Sequence, residues 1–88
     1  MITVWGKLLK DGKIVRSDTV TSEKQDMSAA LLECLEYFAA KFDMEAPMWH
    51  SQHTKQLGIF HKATFRPDDF IDKVDFDRFE LQLLENEK

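Results

Sequence analysis

The stretch from Asp26 to Asp43 constrains this chain most, because it alone reads as one element along its whole length. Met27, Leu31, Cys34, Leu35, Phe38 and Phe42 recur at helical spacing, with Glu33, Glu36 and Tyr37 on the other side. That spacing predicts an amphipathic helix of about four turns. Asp26 is placed to cap it, since its carboxylate accepts free N–H groups of the first turn and complements the helix dipole. Lys41 suits the last turn for the same electrostatic reason. A helix with one apolar stripe must bury it against another layer, so the remaining chain has to supply that layer.

The N-terminal part supplies a β-hairpin. Ile2 to Leu9 and Ile14 to Thr21 are joined around Asp11-Gly12, a pair suited to a two-residue turn in which both residues have positive φ. A regular ladder then sets Leu9 opposite Ile14, Leu8 opposite Val15, Lys7 opposite Arg16 and Val4 opposite Thr19. Ile2, Val4, Leu8 and Val15 share the face that meets the helix. Trp5, Lys7, Arg16 and Asp18 share the other. Lys7 beside Arg16 is an unfavourable pair unless an acid lies near. Gly6 marks either a bulge or a close backbone approach. Trp5 either covers a second small core or is exposed to a partner.

After the helix, Pro47 and Gly58 frame a stretch, Met48 to Leu57, that reads as a short helix with a Gly cap or as an irregular loop. As a helix it sets Trp49, His53 and Leu57 on one face. Ile59 to Arg66 reads as a strand. Pro67-Asp68-Asp69-Phe70-Ile71 reads as one helical turn pinned by Phe70 and Ile71. Arg78 to Leu84 alternates, with Phe79, Leu81 and Leu83 inward and Arg78, Glu80 and Gln82 outward. The order β-β-α-(short α)-β-β with short connections predicts a single α+β domain over residues 1–88. Its simplest form is an antiparallel four-stranded sheet with the main helix on one face.

Charge is segregated. The net charge is −4, yet residues 46–66 hold no acid, three cations (Lys55, Lys62, Arg66) and all three histidines. Residues 68–88 hold eight acids against three bases. Either the two segments lie side by side, or the middle one meets an anionic partner. Lys55, Lys62 and Arg66 interleave with Trp49, Phe60 and Phe65, which makes Trp49, Lys55, Lys62 and Arg66 a candidate interaction surface. The negative total argues against nucleic acid.

His50, His53 and His61 are candidate metal ligands, His50 and His53 being one helical turn apart and an Asp of the 68–77 run available to complete a site. Their spacing matches no zinc signature. The acids Asp68, Asp69, Asp72, Asp75 and Asp77 lack the order of a calcium loop. The single cysteine, Cys34, lies on the apolar stripe and reads as a buried, inert thiol in a reducing compartment. No glycine-rich phosphate loop and no framed nucleophile is present. No cofactor is implied. No run approaches the roughly 18 apolar residues of a membrane span, and the start lacks the basic and apolar regions of a signal peptide.

The C-terminal half resembles a group of small uncharacterised bacterial proteins. The shared pieces are a Trp-led segment at Trp49, Thr54-Lys55, Phe65-Arg66-Pro67-Asp68-Asp69-Phe70, and Val74-Asp75-Phe76-Asp77 before a final strand. The resemblance implies a bacterial, cytoplasmic domain and transfers no functional residue. The expected function is therefore non-enzymatic association, with a protein partner or as a homodimer. The alternative is metal or small-ligand binding by the His-rich segment 46–66.

Overall fold

The computed structural model describes residues 1–86. Its elements are β1 (Ile2–Lys10), β2 (Lys13–Ser22), α1 (Met27–Lys41), α2 (Ser51–Phe60), β3 (Lys62–Phe65), a single 3-10 turn (Pro67–Asp69) and β4 (Arg78–Asn86). The strands form one antiparallel sheet in the order β2-β1-β4-β3, and both helices cover the same face. This is the expected α+β arrangement.

The hairpin turn forms as its residues dictate: Asp11 and Gly12 both have positive φ, 53° and 77°. The Asp11 N–H donates to Asp77 Oδ2 at 2.7 Å, which ties the turn to the start of β4. The register corrects the expectation beyond the turn. Leu9 faces Ile14, but Leu8 faces Arg16, Lys7 faces Ser17 and Val4 faces Val20, because Val15 bulges out of the ladder. The bulge carries Arg16 and Asp18 onto the helix-bearing face and leaves Val15 exposed. Asp18 there accepts a hydrogen bond from the Tyr37 hydroxyl at 2.7 Å and lies 3.9 Å from Lys41 Nζ.

α1 begins as its cap predicts, with Asp26 Oδ2 accepting the Ala29 N–H at 3.0 Å. It ends where Asp43 turns left-handed (φ 53°). Its buried residues are Ala30, Leu31, Cys34, Leu35 and Phe38, followed by Phe42. Met27, expected inward, is partly exposed. Phe38 is the centre of the core. It stacks near Phe42 and meets Phe79 edge-on, with centroids 5.6 and 5.9 Å away. It also explains Gly6: a Cβ there would lie 2.8 Å from the Phe38 ring. The glycine serves a close approach, and β1 is regular at that point.

Two further boundaries, and the burial of one residue, differ from expectation. α2 runs past Gly58 to Phe60, and His61 adopts the left-handed cap conformation (φ 57°) with its N–H bonded to Leu57 O. β3 is shorter than the Ile59–Arg66 strand expected, because the helix takes Ile59 and Phe60. Phe70 is buried, whereas Ile71 is exposed and pins nothing.

Among the described residues, the other face of the sheet carries no helix. Lys7 and Glu80 form an ion pair across it at 3.3 Å, both side chains about 10% exposed. Arg78 Nε approaches Glu80 at 3.1 Å. The Lys7 ammonium sits 4.0 Å from the centre of the Trp5 ring. Trp5 is thus half-buried beneath a paired lysine.

Candidate functional site

α1 and α2 do not close against each other. Between them lies a groove of about 560 Å³. Its walls follow from helical periodicity. Met27, Ser28, Leu31, Leu32 and Leu35 form a stripe on the first half of α1. Thr54, Leu57 and Gly58 of α2, with its cap residue His61, form the other. Trp49 and Leu83 complete it. Leu31, Leu35 and Leu57 are buried on the floor, while Leu32, 57% exposed, and Met27 form the rim. Among the described residues, no Asp, Glu, Lys or Arg lines the groove. The Trp49 indole N–H donates to Thr54 Oγ1 at 2.8 Å, so its polar end is satisfied and the ring presents carbon.

Gly58 is the unexpected member. It sits inside a helix, where glycine is about 0.5–1 kcal/mol worse than alanine. A Cβ at this position would meet nothing within 4 Å. The fold therefore does not require glycine here. Its effect is to leave the α2 backbone open to whatever enters the groove.

The histidines divide. His50 and His53 come together at the N-terminus of α2, and His61 lies at its C-terminus. Eleven residues separate the two ends, about 16 Å along a helix. His53 is fully buried and stacks on Phe65, with centroids 4.1 Å apart. Its Nδ1 accepts the His50 backbone N–H at 3.0 Å, filling the role usually taken by Glu or Gln at this helix position. A neutral ring that accepts at Nδ1 carries its proton on Nε2. That Nε2 lies 3.4 Å from Asp69 Oδ2 without hydrogen-bond geometry. His50 Nε2 is 3.4 Å from Asp69 Oδ1. Asp69 also accepts the Arg66 backbone N–H at 2.9 Å. Burial lowers the His53 pKa below its ordinary 6.5, against the opposing pull of Asp69. His53 is a neutral structural residue. A metal at its Nε2 would have to displace the proton that Nδ1 bonding places there. Among the described residues, no group of three or more His, Cys, Asp or Glu is arranged to hold a metal ion.

The residues expected to form an interaction surface also separate. Trp49 packs against Phe65 and His53 and walls the groove. Lys55 is exposed on α2, Lys62 stands opposite Gln82 in the sheet, and Arg66 borders a polar recess with Asp68, Asp69, Arg78 and Glu80. The positive and negative segments do lie side by side, joined by the β3–β4 ladder, and the side-chain contact between their ionisable groups is that of His50 and His53 with Asp69. Among the described residues, no ion pair joins Lys55, Lys62 or Arg66 to the acids that follow. Comparison of the chain with protein families, curated proteins and solved structures finds no match.

Sequence reasoning singled out Trp49 and His61 of the groove but missed Leu32 and Gly58. The available signals were the Leu31-Leu32 pair, which widens the apolar stripe, and a glycine within a helical period with no turn chemistry beside it.

Proposed function

We propose that this domain is a non-enzymatic protein-association module that takes an apolar helical segment of a partner protein into the groove between α1 and α2. The observation that carries the reading is the pairing of a groove with no acid, lysine or arginine among its described lining residues, rimmed by exposed Met27 and Leu32, with a helix-interior glycine whose missing side chain is not needed for packing. An apolar groove offers few partners to an incoming backbone, so the natural occupant satisfies its own hydrogen bonds as a helix. A small residue on the receiving helix lets the two backbones come close. Cys34 adds nothing nucleophilic, since burial pushes its thiol up to about 11. A single buried thiol also fits the reducing cytoplasm of a bacterial cell. The groove volume falls within the roughly 300–1,000 Å³ of small-molecule sites, so a small apolar ligand is the second reading.

The test is a photoreactive phenylalanine analogue placed at Leu32 in the producing cell. One discrete protein adduct is expected. None is expected from the same analogue at Ile71, which is exposed but outside the groove, and Gly58→Leu should remove the Leu32 adduct. A Leu32 adduct that persists in the Gly58→Leu background would contradict the reading. Loss of any adduct, with a small molecule co-purifying instead, would favour the ligand.

A further inference from the structure

The two edges of the sheet are treated differently. β3 is four residues long, and the Gln56 side chain of α2 reaches over it to accept the Thr64 N–H at 2.9 Å. β2 is ten residues long and, among the described residues, no strand pairs beyond it. Lys13 and the Val15 bulge interrupt its first part. From Arg16 to Ser22 it is regular, with no proline, lysine or bulge, and its only charged residues are Arg16 and Asp18.

We infer that the β2 edge pairs with the β2 edge of a second copy of this chain, antiparallel and about a two-fold axis at Ser17. Thr19 donates its N–H to the Asp18 side chain at 2.8 Å and not to β1. Alternation in an antiparallel ladder then turns the backbone groups of Ser17, Thr19 and Thr21 outward together. Outward-facing Ser17 can pair with itself across a two-fold axis. That register places Arg16 of each copy opposite Asp18 of the other, twice, at the close spacing of a cross-strand pair. The neighbouring registers are worse: an axis at Arg16 opposes two arginines, and an axis at Asp18 opposes two aspartates. Arg16 is open to the new contact, while each oxygen of Asp18, although bonded by Tyr37 or Thr19 and near Lys41, keeps a lone pair for it. Arg16 is exposed and, among the described residues, has no ion pair. Asp18 is held below the usual carboxylate range by the Tyr37 hydroxyl and by the Thr19 N–H, so it is charged near neutrality. Ile14 and Val15, each about half exposed, flank the contact and lose water with it. The result is a continuous eight-stranded sheet with isologous symmetry. This pairing is independent of the groove.

The experiment is light scattering coupled to size exclusion, on the full chain, over a concentration series reaching about 1 mM, suited to a small interface. The wild type should shift from monomer to dimer. Arg16→Asp opposes like charges at both contacts and should raise the dissociation constant about 100-fold. Asp18→Arg should do the same. An equimolar mixture of the two variants restores both pairs and should recover a heterodimer, which a misfolded variant could not do. Thermal melts of each variant monitor the fold. A strictly monomeric wild type, or a dimer indifferent to Arg16→Asp, overturns the inference. A dimer lost with Leu32→Asp but kept with Arg16→Asp overturns it too, and assigns the second copy to the groove.

Discussion

α1 is apolar on two sides, and the two sides meet different things. On the sheet side Phe38 is fully buried, and Gly6 lies so close beneath it that a single added carbon would sit 2.8 Å from the ring. On the groove side Leu32 is mostly exposed, and Gly58 across from it could gain a carbon with nothing inside 4 Å. One glycine is demanded by packing; the other is not. The comparison separates apolar surface that the fold consumes from apolar surface that it leaves on offer, and exposed apolar area of the second kind marks interaction sites.

Mutations should divide along the same line. Phe38→Ala, on the consumed side, is expected to destabilise by about 3–5 kcal/mol in urea unfolding. Gly6→Ala forces a methyl against an immobile ring and should cost about 1–3 kcal/mol. Leu32→Ser, on the offered side, should change stability by no more than about 0.5 kcal/mol while weakening capture of the proposed helical partner. Equal losses from Phe38→Ala and Leu32→Ser would abolish the distinction.

His53 sharpens the boundary, because it is a polar residue on the consumed side. Its folded pKa lies below the ordinary 6.5, so the unfolded chain takes up the proton more readily. The contribution is therefore intact above pH 6.5 and is lost progressively as pH falls below it. The urea midpoint should drop between pH 7.5 and 5.5, and His53→Asn should flatten that dependence. An unchanged slope in the variant would move the titration to another group.

The elements legible in the sequence were those set by local rules. The α1 stripe, the Asp26 cap, the Asp11-Gly12 turn and the alternation of Phe79 and Leu81 each follow from the spacing of a few neighbouring residues. The Val15 bulge has no such marker. It lies just beyond the hairpin turn, between the Leu9–Ile14 and Leu8–Arg16 pairs, and it reverses the face of Arg16 and Asp18. Gly58 misled for a related reason: a glycine near a helix end suggests a cap, yet His61 adopts the left-handed conformation three residues later. The groove was least legible, since its walls come from α1, α2 and β4 and exist only once the sheet has fixed both helices. The histidines were visible as a cluster, but only three-dimensional placement shows that His53 is a buried helix-capping residue.

Gly58→Leu is the most direct test of the claim that the groove is offered and not consumed, measured by thermal melting and by titration with the apolar dye 8-anilinonaphthalene-1-sulfonate. The account predicts a melting temperature unchanged or raised by a few degrees, since glycine is worth about 0.5–1 kcal/mol less than leucine in a helix. It also predicts that the folded wild type binds one dye and that the variant binds it at least about tenfold more weakly, as the side chain fills the cavity. A variant that melts well below the wild type, or binds the dye equally, would contradict it.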